Sequence, residues 1–193
     1  MTALWYASRA TGLAALVLFT AVVVLGTVTS ARVASPRWPR FAIAAVHRNL
    51  SLVTVVFLAV HIATAVIDPY AGIDPYAGIR WISVVVPFVS AYHPVSLGVG
   101  TVAFDLLVAV IVSSLLRPRI NARLWKAVHW TAYLCWPAAV VHGLEIGGAD
   151  SGLTWVRALL ASCVIATVVA VLWRATVRHP DTEARRGTLG DVR

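Results

Sequence analysis

The sequence predicts an all-α integral membrane protein, built as a bundle of about five transmembrane helices. Of its 193 residues, 60% are hydrophobic and only 12% are charged, and the mean hydropathy is +0.82. A soluble domain of this size could not bury so much apolar surface, so membrane lipid must be its solvent. Uncharged runs long enough to cross about 30 Å of hydrocarbon also recur along the chain.

These runs place the helices. We predict spans over residues 11–30, 41–67, 95–116, 124–144 and 153–173. The segment 81–93 is apolar but too short to cross and contains Pro87, so we expect it to lie at the membrane surface. We predict one transmembrane domain over residues 1–178 and a disordered cytoplasmic tail over residues 179–193, which are polar and charged.

The net charge of +8 is distributed as in a membrane protein. Basic residues concentrate after the first helix, between the third and fourth helices, and after the fifth helix. They are Arg32, Arg37, Arg40, Arg117, Arg119, Arg123, Lys126, Arg174, Arg178, Arg185 and Arg186. Because short basic loops stay in the cytoplasm, the N-terminus is expected outside and the C-terminus inside. The distribution argues against a nucleic-acid partner.

Other features have simpler explanations. The hexapeptide Ile67-Asp68-Pro69-Tyr70-Ala71-Gly72 is repeated at once over residues 73–78, and its turn-forming steps predict an extracellular loop that arose by duplication. Cys135 and Cys163 lie within predicted spans without CxxC spacing, so we expect them to serve as packing residues.

Four of the six histidines fall in only two predicted helices: His47 and His61 in the second, His129 and His142 in the fourth. The paired residues are 14 and 13 positions apart, a rise of about 20 Å on a helix. The two helices run in the same direction, so the histidines form two levels. We call His47 with His129 the inner pair, and His61 with His142 the outer pair.

A polar side chain in the membrane interior predicts a functional site. A haem iron takes one ligand on each face, and two histidines from facing helices suit a b-type haem. Fourteen residues return a helix to nearly the same face, but thirteen leave His142 about 140° from the face of His129 on an ideal helix. We expect a kink at Pro137 to re-aim the ring.

The spacings His47-x13-His61 and His129-x12-His142 resemble the ferric reductase-like transmembrane domain over about residues 8–173. Three local contexts carry the same resemblance: Val46-His47-Arg48-Asn49-Leu50-Ser51, Ala127-Val128-His129-Trp130 and Val141-His142-Gly143. The family includes the membrane part of NADPH oxidases and the haem subunit of a bacterial methionine sulfoxide reductase system. The resemblance implies that the four histidines are axial ligands of two haems b stacked across the membrane.

The resemblance also implies transmembrane electron transfer, from a cytoplasmic donor to an extracellular acceptor such as ferric iron, dioxygen or a redox protein. NADPH oxidases continue into a module for FAD and NADPH, whereas this chain ends about twenty residues after the last predicted span. We therefore expect the donor to be a separate flavoprotein or a quinol. The expected location is the cell membrane, and many Arg beside few Lys indicate a bacterial source.

Several charged residues are candidates for supporting roles. Arg48 could bind a haem propionate through its guanidinium or extend to lipid phosphates. Arg9, Arg80 and Arg157 are candidates for the outer propionates. Asp105, within the third predicted helix, could relay protons or serve only in packing.

Two other functions remain open on the sequence alone. A quinol-oxidising cytochrome b of a respiratory complex also holds two haems with histidine pairs on two helices. A permease or metal transporter could instead use the histidines for a divalent ion, although ligands about 20 Å apart are too distant for one tetrahedral site.

Overall fold

The computed structural model describes residues 2–30, 39–68 and 79–176, and the regular secondary structure within them is entirely helical. The helices are α1 (Ala3–Ser30), α2 (Arg40–Ile67), α3 (Ile82–Val85), α4 (Pro94–Leu115), α5 (Ala122–Trp130), α6 (Ala132–Ile146) and α7 (Thr154–Thr176), with a 3₁₀ helix at Gly148–Gly152. Within those ranges, α1, α2, α4 and α7 are long and apolar enough to cross a membrane. The protein is therefore a multi-pass helical membrane protein. The predicted tail and most of the hexapeptide repeat lie outside the described residues.

Helix α1 begins at Ala3, earlier than the predicted start at residue 11. The helix therefore includes Arg9, which the predicted span leaves out. In the fold, Arg9 Nε lies 3.9 Å from a carboxylate oxygen of Asp150, and the guanidinium lies 4.7 Å from the ring centroid of Trp5. A charge that finds partners in this way can lie within a membrane helix near its end.

The predicted single helix over residues 124–144 is wrong, because two helices, α5 and α6, meet at Thr131. There the winding tightens: Thr131 N donates to Val128 O at 3.0 Å, and Leu134 N donates to Thr131 O at 2.9 Å. Pro137 has no N–H for the carbonyl of Tyr133, so the adjacent turn is already weakened. Since a tighter turn changes the angle between the residues on its two sides, the rotation from His129 to His142 differs from that of one ideal helix.

Helix α1 occupies a central place, packing against α2, α6 and α7, while α4 packs against α6. Trp136 Nε1 donates to Thr20 Oγ1 at 3.0 Å, and the hydroxyls of Thr27 and Tyr133 are 3.3 Å apart. These contacts show that α1 and α6 are antiparallel. The buried core comprises Leu16, Phe19, Val23, Ala103, Cys135, Trp136, Val140, Val156, Leu160 and Cys163. Both cysteines are buried and unbridged, which confirms their predicted packing role.

The outward faces of the bundle are apolar. Leu52 and Val56 on α2, and Ile165 and Leu172 on α7, are each more than half exposed. Such continuous apolar surface is rare on soluble monomers, and in a helical membrane protein it contacts lipid.

Residues 79–93, which include α3, pack against α4. Thr101 Oγ1 of α4 donates to the carbonyl of Ser83 in α3 at 2.7 Å. The ring of Phe88, which has a left-handed φ of 66°, packs against Gly98 on α4. These contacts hold the surface segment to one end of α4.

Candidate functional site

The four predicted histidines lie at two levels of the bundle. On α1, the antiparallel neighbour of α2, Gly12 faces the ring of His61 and Gly26 faces the ring of His47. The α6 residue His142 is beside His61. His129 lies one helical turn before Tyr133, whose hydroxyl is 3.3 Å from that of Thr27, the neighbour of Gly26 on α1, so His129 is at the level of His47. The helical framework therefore brings together the same pairs that the spacing predicts.

The outer pair has a geometry that suits an iron between its rings. The ring centroids of His61 and His142 are 6.3 Å apart and the ring planes are inclined by 77°. With metal–imidazole bonds of about 2 Å, two opposed axial ligands have their centroids about 6 Å apart. The observed separation fits this arrangement without movement of either helix.

Three of the histidines are oriented by backbone hydrogen bonds. Nδ1 of His61 donates to Ser8 O at 2.8 Å, and Nδ1 of His142 donates to Ser96 O at 2.8 Å. In the inner pair, Nδ1 of His47 donates to Val22 O at 3.2 Å. A carbonyl can only accept, so each Nδ1 carries the proton and Nε2 keeps the lone pair that binds a metal. Metal-ligating histidines are usually held by such second hydrogen bonds.

A cavity of about 470 Å³ opens at the outer level. It lies within the size range of cofactor pockets, roughly 300–1,000 Å³. Its lining includes Trp5, Arg9, Gly12, His61, Gly100 and His142. The walls are largely apolar; Arg9 brings a positive charge to them, and Asp150, 3.9 Å from it, also lines the cavity. The cavity therefore offers two imidazoles, an apolar enclosure and a cation, which fits a macrocycle that carries carboxylates.

The inner pair is held differently. His129 lies on the short helix α5, and its ring stacks on Trp125 with centroids 5.0 Å apart and planes inclined by 25°. Arg117 covers the same indole, with its guanidinium 4.5 Å from the ring centroid. His129 Nδ1 is buried and has no hydrogen-bond partner among the residues that the structure describes. Neither His47 nor His129 lines the outer cavity.

Of the charged residues predicted to support the site, only one lines the outer cavity. Arg9 lines the outer cavity. Arg80 is exposed, and Arg157 is exposed and donates to Ser151 O at 3.0 Å; neither lines that cavity. Arg48 is exposed on α2, and Asp105 is half-buried on α4.

Among the described residues, no three His, Cys, Asp or Glu side chains form a group that could hold a metal ion. The four histidines lie instead as two pairs at two levels.

Sequence reasoning missed the glycines that face the histidine rings: Gly12, Gly26 and Gly100. One signal was available. Gly12 and Gly26 are 14 residues apart, the same spacing as His47 and His61 on the antiparallel neighbour. Gly100 offers no comparable signal. It lies on α4 and faces His142 on α6, and α4 has no second glycine of this kind that would repeat a histidine spacing.

Comparison with known proteins agrees with this geometry. The family model described as ferric reductase like transmembrane component matches residues 11–143, more than half of the chain, and includes all four histidines. A search of curated proteins and a search of solved structures each found no match. The family description indicates a redox role in the membrane. The chain belongs to the family of ferric reductase-like transmembrane components.

Proposed function

We propose that the protein is a di-haem b cytochrome that carries electrons across the cell membrane, with His61 and His142 binding the outer haem and His47 and His129 the inner one. The observation that carries this proposal is the outer pair. Its rings are separated by 6.3 Å, and both Nδ1 atoms donate to backbone carbonyls, so both Nε2 atoms remain available for iron.

The proposed topology has five crossings, formed by α1, α2, α4, the α5–α6 pair and α7. The basic residues follow α1, separate α4 from α5, and follow α7. The positive-inside rule then puts the N-terminus outside and the C-terminus in the cytoplasm. This orientation places the outer pair near the extracellular face and the inner pair near the cytoplasmic face.

The side chains of this protein would prepare each level for its haem. A haem b with two imidazole ligands exchanges single electrons and has no open coordination position for a substrate. At the outer level, the apolar lining excludes water, while Arg9 offers a cation for a propionate. At the inner level, Arg48 is the candidate cation for a propionate, or else it contacts lipid phosphates.

The proposed partners follow from this arrangement. The donor is a cytoplasmic flavoprotein or a quinol, and it delivers electrons to the inner level. The acceptor receives electrons at the extracellular face by outer-sphere transfer. Ferric iron, dioxygen and a redox protein are all compatible with that route, in a membrane that we expect to be bacterial.

The first experiment measures haem directly. The full chain is expressed in haem-replete cells, purified in detergent and assayed as the pyridine haemochrome. We expect two haems b per chain. Purified, folded protein without haem would contradict the proposal and favour a transporter that uses its histidines for metal ions.

The second experiment measures electron transfer across a membrane. The protein is placed in liposomes with a reductant inside and a membrane-impermeant ferric chelate outside. Reduction of the chelate is expected only in liposomes that contain the haem-loaded protein. Inhibition by quinone-site ligands, with electrons supplied by a quinol, would instead identify a quinol-oxidising cytochrome b.

A further inference from the structure

Three of the four histidines share one local arrangement. In each case Nδ1 donates to a helix carbonyl on a neighbouring helix, and the residue four positions later on that helix is a glycine whose Cα faces the same ring. The acceptors and glycines are Ser8 with Gly12, Val22 with Gly26, and Ser96 with Gly100. The arrangement occurs on α1 twice and on α4 once.

The geometry of a helix explains why a glycine stands at that position. The carbonyl of residue i already accepts the N–H of residue i+4, and its second lone pair points outward beside that residue. A ring that approaches this lone pair must pass over the Cα of residue i+4. Only glycine leaves that space empty.

The space that a side chain would need is already filled by the imidazoles. A Cβ at Gly100 would lie 2.5 Å from Nδ1 of His142, and a Cβ at Gly12 would lie 2.8 Å from Nδ1 of His61. A Cβ at Gly26 would lie 3.3 Å from Cε1 of His47. The crowding is therefore severe at Gly100 and Gly12 and slight at Gly26.

We propose that Gly12, Gly26 and Gly100 are positioning residues for haem ligation, because each admits a histidine ring to the backbone acceptor that fixes its tautomer and direction. This inference rests on the proposed function. The inference predicts different behaviour at the two levels. The outer haem depends on two such glycines, whereas the inner haem depends on one, because His129 Nδ1 has no hydrogen-bond acceptor among the described residues.

The test is a graded series of Gly→Ala variants in the full chain, assayed for haem content and for the low-spin electron paramagnetic resonance of each haem. We expect Gly100→Ala and Gly12→Ala to lose the outer haem, so that the haem content falls to half while the inner signal persists. We expect Gly26→Ala to keep both haems and to shift the inner signal alone. Unchanged haem content and unchanged signals in all three variants would overturn the inference.

Gly152→Ala is the matched control. Gly152 ends the 3₁₀ helix at the outer level, but it does not line the cavity, and a Cβ there would have no atom within 4 Å. This variant adds the same methyl group without touching a histidine ring, so it should keep both haems. Loss of haem in Gly152→Ala as severe as in Gly100→Ala would show that the loss does not come from contact with a ring, against the inference.

A double variant separates a clash with the ring from general misfolding. If the added methyl group at residue 100 acts on the imidazole, then Gly100→Ala should reduce thermal stability in the wild type but not in a His142→Ala background. An equal loss of stability in both backgrounds would overturn the inference. Wild-type protein without haem would instead overturn the proposed function, and the thermal cycle would still report whether Gly100 positions the ring.

Discussion

The outer and inner histidine pairs have nearly the same separation along the chain, 81 and 82 positions, but they are held by different means. His61 and His142 both donate from Nδ1 to helix carbonyls, and their rings are 6.3 Å apart beside a cavity. In the inner pair only His47 has such a bond, whereas His129 rests on Trp125. His129 lies on the short helix α5 and His142 on α6, on either side of Thr131. Both outer ligands are therefore held by backbone acceptors, whereas one inner ligand is held by side-chain stacking.

The largest expected effect is the loss of one haem. His61→Ala and His142→Ala should each remove the outer haem and leave the inner haem, since the remaining imidazole cannot alone supply both axial ligands. The haem content per chain, measured as the pyridine haemochrome, should therefore fall to half. His93→Ala is the control, because His93 is exposed at the start of α4 and should keep both haems. Full haem content in both outer variants would contradict the pairing.

The second prediction concerns the charge beside the outer pair. Arg9→Gln should weaken retention of the outer haem by about 1.5–3 kcal/mol, the value of a hydrogen bond to a charged group. Asp150→Asn should weaken it by no more than about 1 kcal/mol, because it removes only a partly exposed ion pair and leaves the guanidinium in place. The rate of outer-haem loss to a haem-scavenging protein measures both effects. Equal effects would mean that Arg9 acts only through Asp150.

The sequence predicts those features of the fold and the site that depend on residues close together in the chain. It does not predict features that depend on contacts between distant residues. The two histidine levels follow from positions within two predicted spans, and a regular helical rise is sufficient to predict them. The ion pair of Arg9 could not be predicted in this way, because its partner Asp150 is 141 positions away. That pairing depends on how α1 packs beside the 3₁₀ helix, which no local pattern reports.

The break in the fourth predicted span shows the same limit. The sequence draws attention to Pro137, which lies inside α6, whereas the boundary between the two helices is at Thr131. A proline weakens a turn by removing one hydrogen bond, but it does not by itself mark where one helix ends. The glycines that face the rings were missed for a related reason, because their role becomes visible only when the antiparallel partner of each helix is known.

The third prediction concerns the stacking that holds the inner ligand. Trp125→Leu should weaken retention of the inner haem by about 0.5–1.5 kcal/mol, the value of an aromatic pair beyond its buried area. The outer haem should be unaffected, because its ligands do not contact Trp125. Trp81→Leu is the control, since Trp81 is 60% exposed and is located on the surface segment. Equal loss of both haems in Trp125→Leu would show that the two levels are not held independently.

The smallest expected effect tests whether backbone or side chain anchors the outer pair. Ser8 Oγ lies 3.4 Å from His61 Nδ1, whereas the carbonyl of the same residue accepts from Nδ1 at 2.8 Å. The longer contact contributes little, and Ser8→Ala keeps the carbonyl. We therefore expect a change in thermal stability below about 0.5 kcal/mol, typical of a substitution that disturbs no buried interaction, with both haems retained. Loss of the outer haem in this variant would mean that the hydroxyl orients His61. If haem is retained, the carbonyl of Ser8 orients His61. A substitution at Gly12, which faces the ring, can then disturb this hydrogen bond, whereas a substitution of the Ser8 side chain cannot.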